Sequence, residues 1–244
     1  MRHPLSKIAF CFVVAAASAA LANAPKDIRN VNGDAVVKER DVVGHVSTVN
    51  GDVRIGANAR ALSAKSANGE IRIASGASVG PVETTNGAIT VSPKASTGPL
   101  TCTNCEIRIG AGAEVAGKVA NVNGSIRAEG ASITGTLETV TGEIVLLDGT
   151  RLDGTIRVAP PNNGGGGVAG VGNLPGVGRW VDMGGISTAT IVIGPNVVVT
   201  QPIAPDREAE LYVHRTAQVP SIHGANTIRY SDDSELPEGI FDDE

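Results

Sequence analysis

Aromatic residues are what this sequence lacks most. They make up 2% of its 244 residues, and none lies between Pro25 and Gly178. Together with 31 glycines, this shortage excludes a conventional globular core over that region. The core there must consist of Val, Ile, Leu, Ala and small polar side chains, which suits a narrow prism with little room in each layer.

The sequence also lacks an excess of positive charge. It has 20 basic and 25 acidic residues, a formal net charge of −5. Nucleic-acid binding depends on net positive charge or a basic patch, so nucleic acid is a poor partner for this chain. A mildly acidic protein is indicated instead.

A long apolar run is missing except at the N-terminus. Arg2 and Lys7 precede an apolar stretch at 8–20, and small-residue cleavage sites end at Ala22 and Ala24. This pattern predicts a signal peptide over 1–24, cut after Ala22 or Ala24, and export to the periplasm or the extracellular space of a bacterium. The run is short for a membrane span, and no transmembrane segment is predicted after its removal.

A repeated turn dipeptide dominates the rest of the chain. Five of the six steps between successive turns are 18 residues long and one is 19. A fixed period of this size indicates one supersecondary unit stacked on copies of itself. The turns are Asn32-Gly33, Asn50-Gly51, Asn68-Gly69, Asn86-Gly87, Asn104-Cys105, Asn123-Gly124 and Thr141-Gly142.

Apolar residues alternate at three places in each repeat, which indicates three short strands per coil. Examples of the three pairs are Val53 and Ile55, Ala77 and Val79, and Val82 and Thr84. A series of hairpins would also use Asn-Gly turns, but only parallel stacking requires the same residue type at the same offset in every repeat. We predict an all-β, single-domain parallel β-helix, a triangular solenoid of about 18 residues per coil, with the asparagines stacked at one corner.

The pattern also predicts the organisation of the whole chain. Regular coils are expected at 25–158, a Gly/Pro-rich loop at 159–178, irregular terminal coils at 179–230 and an acidic tail at 231–244. The aromatic residues Trp180, Tyr212, Tyr230 and Phe241 fall in the last part, where we expect them to cover the final coils.

An outward stripe on the first strand of each coil is one candidate site. Arg54, Arg72, Arg108 and Arg127 form this candidate anion-binding stripe, which suits an acidic glycan or lipid. Acidic residues at the position that directly follows the corner residue, Asp52, Glu70, Glu106 and Glu143, point to the same side. A solvated ladder of ion pairs is therefore the competing interpretation.

Cys102 and Cys105 form the second candidate site. In an exported protein the pair is expected to be oxidised. A redox role favours a helix start that lowers the thiol pKa, and zinc favours four ligands, whereas this pair lies on a strand and a corner. We predict a local structural disulfide.

Three stretches resemble known bacterial repeat proteins. The segment at 109–119, Ile-Gly-Ala-Gly-Ala-Glu-Val-Ala-Gly-Lys-Val, and the segment at 131–137 resemble the coils of bactofilins, which are polymer-forming β-helix proteins. The segment at 49–55 is similar to the adhesin-type β-strand repeat of exported proteins. The resemblance implies the architecture and end-to-end assembly. Bactofilins are cytoplasmic, in contrast to the export signal here, and the handedness of the coil is left open.

An enzymatic interpretation rests on the same period. Hexapeptide acyltransferases have 18-residue triangular coils, and they need a histidine base, for which His45, His214 and His223 are the candidates. Export removes their usual cytosolic thioester donor. The sequence has no nucleophile-elbow or phosphate-loop motif, and we predict no catalytic residue, no cofactor and no metal site.

The favoured function is therefore non-enzymatic. We predict an exported structural or interaction protein, a scaffold that self-associates end to end or presents its faces to an envelope partner. The alternatives are an adhesin-like binder of anionic glycan or lipid through the arginine stripe and, less favoured, a hexapeptide-type acyltransferase.

Overall fold

The computed structural model describes residues 25–160 and 188–237. The predicted signal peptide, nearly all of the Gly/Pro-rich loop, Trp180 and Phe241 lie outside these residues. Within them, every regular element is a β-strand except one 3-10 turn at Asp233–Glu235. The prediction of an all-β chain is confirmed.

Short strands follow one another around the tube. The strands before the gap are β1 (Ile28–Arg29), β2 (Ala35–Val37), β3 (Val42–Asn50), β4 (Val53–Ile55), β5 (Arg60–Asn68), β6 (Ile71–Ile73), β7 (Ser78–Val79), β8 (Val82–Val91), β9 (Ser96–Thr97), β10 (Leu100–Ile109), β11 (Glu114–Ala116), β12 (Val119–Ala120), β13 (Ile126–Glu129), β14 (Ser132–Thr134), β15 (Leu137–Thr139), β16 (Glu143–Leu147), β17 (Arg151–Asp153) and β18 (Ile156–Val158). After the gap come β19 (Ala189–Ile193), β20 (Val198–Val199), β21 (Ala209–His214) and β22 (Asn226–Tyr230).

All the strand pairs are parallel and join one coil to the next. Val53 pairs with Ile71, and Ile71 pairs with Ile89, each one repeat further along the chain. The stacked strands form three sheets. Face 1 runs from β2 through β4 and β6 to β22, face 2 includes β7, β9 and β11, and face 3 includes β1, β12 and β15. The chain is thus a parallel β-solenoid of about 10 turns, as the 18-residue period predicts.

Branched aliphatic side chains fill the tube because every second residue of each strand points inward. The inner column of face 1 consists of Ala35, Val53, Ile71, Ile89, Ile107, Ile126, Ile144, Ile191 and Leu211, all of them buried. No aromatic side chain belongs to this core cluster. The prediction of a narrow aliphatic core is borne out.

The coil continues across the gap in the described residues. β19 pairs with β16 before the gap, so that Ile191 lies over Ile144 in the same column. The last strand, β22, places Thr227 and Arg229 in register with the core residues Leu211 and Val213. The final layer of face 1 is therefore polar on its core side.

Candidate functional site

The corner asparagines form a single file of hydrogen-bonded side chains. The Nδ2 amide of Asn50 donates to Oδ1 of Asn32 at 3.1 Å, and Asn68 donates to Asn50 at 3.1 Å. Asn86 and Asn104 extend the file with bonds of 2.9 and 3.1 Å. Every one of these bonds donates toward the N-terminal end, so the structure brings together the corner residues that the repeat predicts.

The file ends differently at its C-terminal side. Asn123 is bridged in register to Asn104 and to Thr141, whose hydroxyl donates to Oδ1 of Asn123 at 3.3 Å. A second set of groups, hydroxyls whose hydrogen bonds the repeat does not predict, binds the same corner from inside. Thr48, Ser66 and Thr84 donate to the carbonyls of the corner glycines one repeat back.

The cysteine pair interrupts this corner. Cys102 occupies the column of Thr84, Cys105 occupies the column of Gly87, and the two are joined by a disulfide. Both are buried. Asn121 is fully buried as well, and its Nδ2 donates to the Cys105 carbonyl at 2.8 Å. The single 19-residue step follows Cys105, and this irregular step is the signal that could have pointed to Asn121.

The arginines of the stripe are paired with acidic side chains. Arg54 contacts both Asp34 and Asp52, and Arg72 contacts Asp52 and Glu70. Arg108 pairs with Glu106, and Arg127 pairs with Glu129 at 2.8 Å. The sequence-based interpretation named Glu143, and not Glu129, among the acidic residues of this stripe. The ion-pair ladder is thus the arrangement that the structure has.

Backbone bonds reinforce the start of this ladder. The backbone amide of Asp52 donates to Oδ1 of Asp34 at 2.9 Å, and this bond, with the Arg54 guanidinium, holds the pKa of the Asp34 carboxyl below its usual value. The hydrogen bond to Asp34 raises the pKa of Arg54. Each group therefore favours the charged form of its neighbour.

The chemistry of the outer column of face 1 changes along the axis. In register order the column is Val36, Arg54, Arg72, Thr90, Arg108, Arg127, Val145, Val192, Tyr212 and Ile228. It is charged or polar from Arg54 to Arg127 and apolar at both ends. Any ligand of the arginine stripe is therefore restricted to the middle layers.

The apolar C-terminal stretch of this column is covered from Val145 to Tyr212, whereas its last residue, Ile228, is exposed. Val145, Leu147, Val192, Tyr212 and Tyr230 form a buried cluster outside the tube, and Leu236 packs against it. Burial, with the Asp233 charge, raises the pKa of Tyr230 to about 12. The two described tyrosines thus lie on the outside of face 1, and they do not cover the end of the solenoid.

Ion pairs also occur on face 3. Lys65 contacts Glu83, and Lys118 contacts Glu138, both at 3.0 Å. Glu138 is buried, so its pairing with Lys118 offsets the cost of removing a carboxylate from water. This pair was not found from the sequence, because nothing in the repeat marks the residue at 138 as buried on the outside of a strand.

The three histidines of the acyltransferase interpretation lie apart along the chain. Nδ1 of His45 is 2.7 Å from the Ser63 hydroxyl in the first coils, while His214 contacts Thr216 near the last strand. His223 follows β21 and bonds through its backbone to Ile203. No group of three or more metal-ligating side chains comes together within 25–160 and 188–237.

No family model matches the chain, and neither curated proteins nor solved structures give a significant match. The described part of the chain has no helix with the length and apolar character that a membrane crossing needs.

Proposed function

We propose that this protein is a non-enzymatic, exported structural protein, a scaffold that presents its long faces to a partner in the bacterial envelope and self-associates at an end. The observation that supports this proposal is that the polar groups on the outside of the solenoid bind other side chains of the solenoid itself. In the described coils, the corner asparagines bind their counterparts in the next layer, and the face 1 arginines pair with acidic side chains of their own layer and, for Arg54 and Arg72, of the layer before. The repeat therefore stabilises a rigid rod with an ordered surface.

An enzyme uses a small set of convergent groups that differ from their surroundings. His45 belongs to the first coils whereas His214 and His223 belong to one of the last, and the described residues gather no metal-ligating cluster around them. This arrangement supports the scaffold over the acyltransferase alternative. Replacing His45, His214 and His223 by Ala should leave the behaviour of the scaffold unchanged.

In the alternative function, an anionic glycan or lipid would bind the same face 1 arginines that form the ion-pair ladder. Six acidic side chains, Asp34, Asp52, Glu70, Glu106, Glu129 and Glu143, accompany the four arginines of face 1. An anionic polymer would have to displace these carboxylates from arginines that they already neutralise. The balance of charge supports a scaffold over an anion binder.

Cell fractionation tests the proposed function. The protein should leave the cytoplasm of the cells that make it and cosediment with envelope material, and a variant without residues 1–24 should stay in the cytoplasm. Recovery of the full-length form as free protein in the cytoplasm would overturn the proposal. The histidine triple variant serves as a control, because it should fractionate as the unchanged protein does.

A further inference from the structure

Exposed apolar side chains concentrate at one end of the solenoid. Six large apolar residues of the described chain are exposed, and five of them belong to the first two coils: Val31, Val36, Val42, Val49 and Leu62. Val31, Val36 and Val42 are 65%, 53% and 63% exposed. These three side chains belong to the first layer, and we call them the N-terminal collar.

The collar surrounds an edge that can form hydrogen bonds. In β2, Ala35 and Val37 bond to the second coil, as the amide of Ala35 does to the Asp52 carbonyl. Because bonding alternates along a parallel strand, the amide and carbonyl of Val36 point away from the solenoid. A free edge of this kind pairs readily with another chain.

The C-terminal end has a different composition. Thr227 and Arg229 are exposed and stand in register over the core residues Leu211 and Val213. A second solenoid stacked on this layer would bury the Arg229 guanidinium against an apolar core, which is costly without a partner charge. A polar last layer of this kind closes a repeat protein.

Charge separates the two ends as well. Residues 25–41 carry four basic and four acidic side chains, so the N-terminal end is neutral. Residues 206–235 carry six acidic and three basic side chains, so two C-terminal ends repel each other. Only the N-terminal end combines apolar side chains, free backbone groups and a neutral charge.

We propose that the N-terminal end binds the N-terminal end of a second copy of this chain, giving a closed, two-fold dimer in which the collars pack together. This inference rests on the proposed scaffold function and names the partner of its free end. A triangle with sides of about 20 Å has a cross-section of only about 170 Å². Stable partners bury about 800 Å² each, so the collar must supply contact area and the dimer must be concentration-dependent.

Sedimentation of the purified mature protein over a dilution series tests the inference. We expect a monomer–dimer equilibrium without larger species. Val36→Lys together with Val42→Lys should weaken dimerisation at least tenfold, because each copy would bring two charges into the contact. Ile228→Lys makes the same change at the opposite end and should leave the equilibrium unchanged.

Chemical crosslinking gives a second measurement that does not depend on the lysine variants. With a short bismaleimide, the variant Val42→Cys should crosslink to itself, whereas Ile228→Cys should not. Filaments, loss of association in Ile228→Lys, or a monomer at every concentration would each overturn the dimer. These results are distinct from failure of the proposed function, which cytoplasmic retention would show.

Discussion

The Asn-Gly corners can stack because the glycine side chain is only a hydrogen atom. A Cβ added at Gly69, where φ is 155°, would overlap the backbone carbonyl of Gly51. The neighbouring atom belongs to the backbone of the previous layer, so it cannot rotate away. Glycine is therefore required by the close approach of successive corners.

Gly69→Ala should consequently destabilise the protein by about 3 kcal/mol through overpacking and backbone strain. Gly112→Ala is the matched control. It has a φ of 69°, but its added Cβ would lie 3.6 Å from Cγ of Lys94, an ordinary contact. The control should lose only about 1 kcal/mol. Urea unfolding measures both variants, and equal losses would contradict the corner geometry.

The asparagine file makes a second prediction about single residues. Asn68→Ala removes two side-chain bonds, one donated to Asn50 and one accepted from Asn86. We expect a loss of about 1–2 kcal/mol in the free energy of unfolding. Asn32→Ala removes one bond of the file, accepted from Asn50, and should cost about half as much. If the hydrogen bonds of the file did not stabilise the protein, the two variants would have the same free energy of unfolding.

Asp34 makes the stability depend on pH. Its pKa is lower in the folded protein than its ordinary value of 3.8, because the Asp52 amide and Arg54 favour the carboxylate. The ionised form therefore stabilises the fold above about pH 4, and this contribution is lost as the pH falls through the lowered pKa. Chemical unfolding from pH 6 to pH 2 should show a shallower loss in Asp34→Asn than in the unchanged protein. If the stability of both proteins fell equally with decreasing pH, the role of Asp34 would be contradicted.

At the scale of elements, the coil that contains the disulfide departs from the repeat. Cys102 stands where Thr84 donates to a corner carbonyl, and Cys105 stands where the other coils have glycine. A covalent link thus replaces a hydrogen bond at one corner. It is followed by an extra residue and the buried amide of Asn121.

Restoring the repeat at this corner tests the role of the disulfide. The double variant Cys102→Thr and Cys105→Gly should regain the hydroxyl bond and lose the crosslink, which is worth about 2 kcal/mol for so short a loop. We expect its stability to lie within about 1 kcal/mol of the oxidised protein and to be independent of reductant. The single variant Cys105→Ala, without a compensating bond, should be less stable. Thermal unfolding with and without dithiothreitol distinguishes the two.

Most of the architecture is readable from the sequence, because one period fixes three strands, one corner and their register together. Asp52 and Glu70, which pair with Arg54 and Arg72, follow from the same period, whereas Asp34 was not predicted as a partner of Arg54. The buried Asn121 does not follow from the period, because it depends on the local accommodation of a 19-residue step. The cluster around Tyr212 and Tyr230 also escapes prediction, since it depends on the pairing of Val145 with Val192, which are separated in the sequence by the Gly/Pro-rich segment.

At the scale of the whole molecule, the face 1 charges should bind one another in preference to a ligand. Retention on an anionic column at low salt should be weak and should change less than twofold when Arg72 and Arg108 become Ala. The matched control, Glu70→Gln with Glu106→Gln, frees the same arginines and should increase retention. A large loss of retention in the arginine variant would favour the anion-binding alternative.

The chain winds from one coil to the next in sequence order, and this arrangement determines how the solenoid responds to a pulling force. Each layer contacts only the layers next to it, so a force that pulls the two chain ends apart loads one coil at a time. Each regular coil that peels away releases 18 residues, or about 60 Å of extended chain. Stretching one molecule should therefore give a series of equal lengthening steps from the regular coils, a longer step from the coil between Ile144 and Ile191, and a shorter step from the layer that the cysteines crosslink.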